Sequence, residues 1–385
     1  MKVILDTSTI SGEGQSSFRY FSELIPRLRK ESDISLDILP SPYFQLPLDW
    51  KNKQNNYRPL IPKASWIPQG KIRKALSRIK WAIEGKRQEK AFFGDQPQRT
   101  IFHTFLYSIP HSPDTPLVSM ALDTIPEKLG RELGIWDSAS KIIKQKELSL
   151  KQAKRVIAIS QSTKKDVCDF YGISDHRIDT IYLAVNTDFF TSKSSSTEKS
   201  QLILKHKISR PYLLQVGGRL HHRNFERLAE AFALSKLNKD YLLVCAGELW
   251  SDQEKELLKK LGIASDTLLV NNPNNLELRN IYQEAQMLVY PSLYEGFGFP
   301  LVEAMASGVP VATSFGGGSI PEVAGEAALY FDPRNPEDMA RVISKLLEPQ
   351  LAKEYREKGL KNVERFSWDK TAAETVACYY KVFSE

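Results

Sequence analysis

Two glutamates, Glu295 and Glu303, stand eight positions apart in YPSLYEGFGFPLVEAMASGVP, residues 290–310, a stretch otherwise apolar and rich in glycine. A carboxylate only accepts hydrogen bonds, and it can take two hydroxyls at once. Pro300 suits the first turn of a helix, where its missing N–H costs nothing, and Gly308 suits the helix end. The amides of Phe297, Gly298, Phe299 and Leu301 would then face outward from a helix N-terminus, a setting for negative or oxygen-rich ligands. Gly296 and Gly298 let such a ligand approach the backbone closely. Two carboxylates beside these amides suit a polyol: a sugar ring or a ribose diol. Glu303 is expected in the helix's first turn, with Glu295 just ahead of it; the plainer alternative is that Glu303 only favours the helix dipole there and Glu295 is solvated.

A second cluster lies upstream, in LLQVGGRLHHRNFERLAEAF, residues 213–232. It reads as strand, loop and helix, with Asn224 as N-cap. Arg219, His221, His222 and Arg223 crowd the positive end of that helix. Such crowding is unfavourable unless an anion is present, and a diphosphate is the economical choice. A solvent-facing basic loop is the alternative.

The elements that would position these groups recur along the chain. KVILDTS, TIFHTF, PLVSMAL and RVIAIS are apolar strands, with helices at Ser17–Lys30 and Ser162–Tyr171. The polar run TSKSSSTEKS, residues 191–200, reads as a linker. Beyond it the pattern restarts with PYLLQVGG, YLLVCAG, TLLVNN, MLVYPS, PVATS and AALYF, and two helices finish the chain. Continuous apolar strands alternating with helices argue for an α/β fold with parallel, doubly wound sheets. Two Rossmann-like domains face a central cleft: residues 1–190, then 201–367, with a helix over 368–385 crossing back to the first. Ligands of such sheets bind beyond the carboxyl ends of the strands.

With 385 residues, 26% charged and 42% hydrophobic, the chain has ample core for two domains. Cys168, Cys245 and Cys378 lie far apart without metal-like spacing, as reduced thiols do in a cytosolic protein. Strand residues begin at once, with no signal peptide, and no apolar run is long enough to span a membrane. Net charge is +7, yet residues 51–90 alone hold twelve Lys or Arg against Glu84 and Glu89. The remainder is net negative, which argues against nucleic acid as a partner.

EGFGFPLVE followed by AMASGVPVATS resembles the two-glutamate signature of the retaining family-4 glycosyltransferases. VGGRLHHRNF resembles that family's basic loop. VIAISQSTKKDV, IYLAVNTDFF and GGGSIPEVAGEAALYFDP resemble further segments in the same order. The resemblance spans nearly the whole chain. It implies the GT-B architecture and a GDP- or UDP-sugar donor held mainly by the second domain. Arg219 and Arg223 would contact the diphosphate, Glu303 the ribose, and Glu295 the transferred sugar with the amides of Phe297 and Gly298. Arg223 stands where the family usually has Lys, a point charge in place of a planar fork. His222 replaces a common Arg or Tyr.

In the first domain, Gly12 and Gly14 of SGEG fall where the resemblance places a glycine loop facing donor phosphates and acceptor. Glu13 between them either turns toward the acceptor or is a solvated turn residue. His103, ending TIFHTF, is either a packed residue or one lining the cleft. Asp123 either orients acceptor or sugar, or caps the turn TIPEKL. The family often has His before this Asp; here it is Leu122.

On a helical wheel, residues 71–83 put Ile72, Ala75, Leu76, Ile79, Ala82 and Ile83 on one face. Lys71, Arg73, Lys74, Arg78, Lys80 and Trp81 occupy the other. An ordinary packed surface helix fits this, and so does contact with anionic lipid. The resulting expectation is a metal-independent retaining hexosyltransferase with no separate cofactor; no Asp-x-Asp triplet occurs in the sequence. It would act on a glycan or lipid-linked acceptor, in the cytoplasm or peripherally on the inner membrane face. The competing expectations are a binding-only protein and a sugar-nucleotide epimerase. A Rossmann dehydrogenase is disfavoured, since no Gly-x-Gly-x-x-Gly follows a strand.

Overall fold

A computed structural model describes residues 1–7, 16–39, 97–110, 113–219 and 221–384. Gly12, Glu13, Gly14 and the basic segment 71–83 lie outside the described residues.

The first sheet contains β1 (Lys2–Asp6), β2 (Ser35–Leu39), β3 (Thr100–Thr104), β4 (Leu117–Ala121), β5 (Arg155–Ala158) and β6 (Ile178–Thr180). All neighbours are parallel, in the order β2-β1-β3-β4-β5-β6. The second holds β7 (Tyr212–Val216), β8 (Leu242–Gly247), β9 (Thr267–Asn271), β10 (Met287–Tyr290), β12 (Val311–Ser314) and β14 (Ala328–Phe331). Its order is β14-β12-β10-β7-β8-β9, again all parallel. Between β10 and β12 runs the two-residue β11 (Tyr294–Glu295), paired with β13 (Gly317–Gly318). Val3, Ile4 and Leu5, like Leu213 and Leu214, are wholly buried, as strands covered by helices on both faces require.

This strand order positions the site. The second sheet grows from β7 through β8 to β9 on one side, then resumes with β10 on the other. β7 and β10 therefore lie side by side, Met287 paired with Leu213 and Leu288 with Leu214. The loops after them, the basic loop and the glutamate loop, leave the sheet at the same end, at a topological switch point. The backbone N–H of Leu293 donates to the His222 carbonyl at 2.7 Å and stitches the two loops together.

Three sequence expectations change. The run at 191–200 is not simply a linker: the helix Ser196–His206 starts inside it. Ser195 and Glu198 form a capping box, each side chain bonding the other's backbone N–H, which lets a polar stretch nucleate a helix. Three helices, not two, follow β14: Pro336–Leu346, Pro349–Val363 and Trp368–Ser384. Pro349 opens a helix of its own, because proline is tolerated at a helix's first turn and costs stability in its interior. Asn224 does not cap the following helix with its side chain; its backbone is left-handed (φ 58°) and its amide donates to the carbonyls of Pro291 and Pro333.

The helix Trp368–Ser384 packs on the first half, against the helix Ser16–Leu28 and β5. Asp369 pairs with Arg27 at 2.6 Å and Lys381 with Asp179 at 2.5 Å. Among the described residues no helix is long and apolar enough to cross a membrane.

Candidate functional site

Glu295 sits on β11, 4% exposed, 3.0 Å from the Arg223 guanidinium. Arg223 Nη1 also donates to the Tyr290 hydroxyl at 2.5 Å. Burial alone would lower the Arg223 pKa, but the Glu295 charge and Tyr290 outweigh it and hold the cation above its ordinary value. Burial raises the Tyr290 phenol well above its usual range, with Glu295 adding to the rise. His222 is pushed down, first by burial and then by Arg223, against the opposing pull of Glu295. Glu295 Oε1 is buried and makes no hydrogen bond of acceptable angle among the described residues, although Arg223 is close enough for an ion pair. A buried carboxylate oxygen left so is an acceptor with room for a donor.

The second cation goes elsewhere. Arg219 Nε donates to Glu254 at 2.6 Å, Nη2 donates to the carbonyls of Glu248 and Leu249, and the guanidinium lies 4.3 Å from the Trp250 ring centroid. Its Nη1 is buried without a partner among the described residues. The protein's own acids, Glu254 and Glu295, thus balance Arg219 and Arg223. Charge crowding alone does not demand an anion here; the unpartnered Arg219 Nη1 is the better pointer to one. Gly217 lies between these groups with φ 102°, and a Cβ at Gly247 would fall 2.6 Å from its carbonyl. Small residues here keep two backbones in contact beneath both cations.

Glu303 belongs to the helix Phe299–Ala306 but lies beyond its first turn, so the helix dipole does not account for it. It is 2% exposed. Tyr282 donates to one oxygen at 2.8 Å, and Arg19 of the helix Ser16–Leu28 forms an ion pair with the other. Burial, then Glu303, raises the Tyr282 phenol well above its ordinary value. Arg19 also covers the Phe299 ring, 4.9 Å from its centroid. Gly298, φ 94°, precedes this helix. Phe297 packs edge-on against Phe299 and Phe366, and Leu301 is fully buried.

The first half supplies Asp123, which faces the glutamate loop. A Cβ on Gly296 would fall 1.8 Å from the Leu122 carbonyl oxygen and 2.9 Å from Asp123 Cβ. Only glycine allows the two halves to meet so closely. Asp123 Oδ1 accepts from the Ile125 N–H at 3.1 Å, so the turn-capping role is real. Its charge still reaches Arg223 and His222, which puts it at the same site. Lys146, itself buried against Glu127, donates to the Asp123 carbonyl at 2.8 Å and fixes the loop from below.

His103 adopts the packed alternative. It is wholly buried, its Nδ1 2.6 Å from the Tyr379 hydroxyl, and burial lowers its pKa to about 3. It touches none of Glu295, Arg223 or Asp123. The structure thus brings Asp123, Arg223 and Glu295 together, sets Glu303 with Arg19 and Tyr282, and gives Arg219 a cluster of its own. Sequence reasoning did not single out Arg19, Tyr282 or Tyr290. Tyr290 had a signal, since it ends the strand that feeds the glutamate loop.

Two family models cover this chain in tandem: Glycosyltransferase Family 4 over residues 94–189 and Glycosyl transferases group 1 over residues 196–364. With the paired parallel sheets, this defines a GT-B glycosyltransferase, and the chain belongs to the family-4 type. It is similar to the O-antigen chain mannosyltransferase B of Escherichia coli, 27% identical over 98% of this chain and 99% of that one. Its fold is similar to that of WaaG, a glycosyltransferase involved in lipopolysaccharide biosynthesis. That match has TM-score 0.70 and 17% identity, covering 97% of this chain and 98% of that one. Anabaena HepE, solved in complex with UDP-glucose, matches with TM-score 0.67 and 14% identity, covering 98% and 99%.

Proposed function

We propose that this glycosyltransferase is a retaining, metal-independent hexosyltransferase. It moves a mannose- or glucose-type hexose from a GDP- or UDP-sugar to a hydroxyl of a glycan or lipid-linked acceptor. The observation that carries the reading is two buried atoms beside one switch point that make no hydrogen bond of good geometry among the described residues: Glu295 Oε1, an acceptor ion-paired with Arg223, and Arg219 Nη1, a donor. A nucleoside diphosphate sugar offers the complement of both, hydroxyls on the sugar and anionic oxygens on the phosphates.

In this reading Arg219 and Arg223 face the diphosphate, Glu303 the ribose, and Glu295 the sugar. The amides of Phe297 and Gly298 assist, and Gly12 and Gly14 lie on the phosphate side. Asp123, across the seam, orients the acceptor. Fixed cations and amides stabilise the departing diphosphate, and that phosphate assists attack on the same face of the sugar. No separate cofactor is required. The mannosyltransferase relative favours mannose and the HepE complex favours UDP-glucose, so the donor is decided by experiment. Residues 71–83 bring the enzyme to anionic lipid on the cytoplasmic membrane face, near a lipid-linked acceptor.

A thermal-shift panel of GDP- and UDP-sugars tests the reading, because a ligand bound only by the folded chain raises the melting temperature. One nucleotide series should stabilise the protein, and its sugar should be transferred to acceptor and not merely epimerised. Stabilisation by no nucleotide sugar overturns the proposal.

A further inference from the structure

Two acids in the resembling segments have no part in the donor site: Asp166 in VIAISQSTKKDV and Glu322 in GGGSIPEVAGEAALYFDP. Both lie at the seam between the halves. Asp166, 3% exposed, is on the helix Gln161–Tyr171 of the first half. Its Oδ2 accepts from the Thr124 hydroxyl at 2.5 Å and from the Tyr294 hydroxyl of the second half, while Oδ1 lies 2.8 Å from Lys128 Nζ. Thr124 directly follows Asp123, and Tyr294 directly precedes Glu295. One buried carboxylate oxygen therefore holds the chain on both sides of the seam, one residue from each acid of the site.

The surroundings lock the same register. Gly296 lies against Leu122 and Asp123 too closely for any side chain. Glu322 of the second half accepts from the backbone N–H groups of Gln161 and Ser162 at 2.7 and 3.2 Å, and from the Tyr182 hydroxyl at 2.5 Å. A carboxylate at the first turn of a helix is favourable, and here it comes from the opposite half. The helix Gln161–Tyr171 is thus strapped to the second half at its start by Glu322 and midway by Asp166.

We infer that Asp166 is a positioning residue: by holding Thr124 and Tyr294 on one oxygen it sets the separation of Asp123 from Glu295. A buried charge adds little stability over apolar packing of the same shape, yet fully hydrogen-bonded it fixes its partners' geometry. This inference rests on the proposed transfer reaction, in which Glu295 reads the donor sugar and Asp123 the acceptor.

The test uses the full chain with Asp166→Asn, Tyr294→Phe and the double variant. Nucleotide affinity, kcat, melting temperature and amide hydrogen exchange are read for each. The expected result is a fall in kcat of about tenfold or more, because misplacing reacting groups by a fraction of an ångström is costly. Nucleotide Kd stays within about twofold, since Arg219, Arg223 and Glu303 all lie in the second half and none of them touches Asp166 or Tyr294. The double variant is no worse than Asp166→Asn, because both changes cut the same link. Amides at 122–125 and 294–298 exchange faster together in each variant. Unchanged kcat, losses that multiply, or a Kd that weakens in step with kcat overturns the inference. If Asp166→Asn does not fold, Tyr294→Phe, which loses only one hydroxyl, decides by the same criteria. If the parent chain transfers from no donor, the proposed reaction fails, and the exchange experiment still decides whether Asp166 holds the two segments together.

Discussion

Arg19, in the first half, forms an ion pair with Glu303, a 2% exposed carboxylate in the second. The link crosses the cleft at the residue proposed to read the ribose. Among the described residues Glu303 would keep only Tyr282 as its partner if Arg19 were gone, and a buried carboxylate short of partners is destabilising. Arg19→Ala should cost the ligand-free protein about 1–3 kcal/mol, the penalty for a buried polar group losing its partner. Nucleotide should then raise its melting temperature more than it raises that of the parent, because ribose hydroxyls restore what Arg19 supplied. Equal shifts in both proteins would count against a ribose at Glu303.

Glu295→Ala should abolish transfer and leave nucleotide affinity largely intact. The carboxylate faces the sugar in the proposed complex, not the base or ribose. Calorimetric titration with the nucleoside diphosphate, beside a transfer assay, separates the two. Full activity in this variant rejects the site assignment.

Arg223→Ala should weaken diphosphate binding by about 1.5–3 kcal/mol, the range for hydrogen bonds to charged groups. It also leaves Glu295 without the cation 3.0 Å away, so thermal stability should fall as well. Arg223→Lys keeps the charge without the fork and should recover part of the affinity. Binding equal to that of the parent in both variants removes Arg223 from the diphosphate.

His103 makes a prediction about acid stability. Its folded pKa is about 3 against an ordinary value of 6.5, with burial as the cause. Between those values the unfolded chain binds a proton that the folded chain refuses, so stability rises with pH across this window. Acidifying from pH 6.5 toward 4 should therefore cost about 1 kcal/mol per pH unit through this one group. His103→Gln should flatten that part of the stability curve, as denaturant melts at stepped pH will show, while leaving kcat near that of the parent. A curve of unchanged slope contradicts the assignment.

The basic segment 71–83 should sediment the protein with vesicles containing anionic lipid but not with neutral ones. Changing Lys71, Arg73, Lys74, Arg78 and Lys80 to Glu should abolish this. Failure to sediment, or sedimentation that survives the changes, removes the membrane from the proposed function.

Much of the architecture was legible because each strand carries a continuous apolar run and each glycine loop follows one. Pro300 and Gly308 framed the helix of Glu303 correctly, although Glu303 itself falls past the first turn. What was not legible depends on contacts between distant segments. Nothing around Arg19 in the sequence points to Glu303, and nothing around Glu254 points to Arg219. The cations of the basic loop were read as awaiting an anion because their acids are remote in sequence. Local signals were also missed: Ser195 and Glu198 spell a capping box within a run dismissed as polar. His103 was ambiguous by nature, since a strand-end histidine looks the same whether it faces a cleft or, as here, Tyr379.

The return of the helix Trp368–Ser384 onto the first half has a consequence for biosynthesis. Tyr379 completes the setting of His103, Asp369 that of Arg27, and Lys381 that of Asp179. When β1 to β6 have left the ribosome, the last piece of their own hydrophobic core has not yet been translated. Domains usually fold as units, in order of emergence. Here the earlier one must wait, partly open, until the later one has been made, and ribosome-stalled chains ending before Trp368 should carry a protease-sensitive first half beside a second sheet that is already closed.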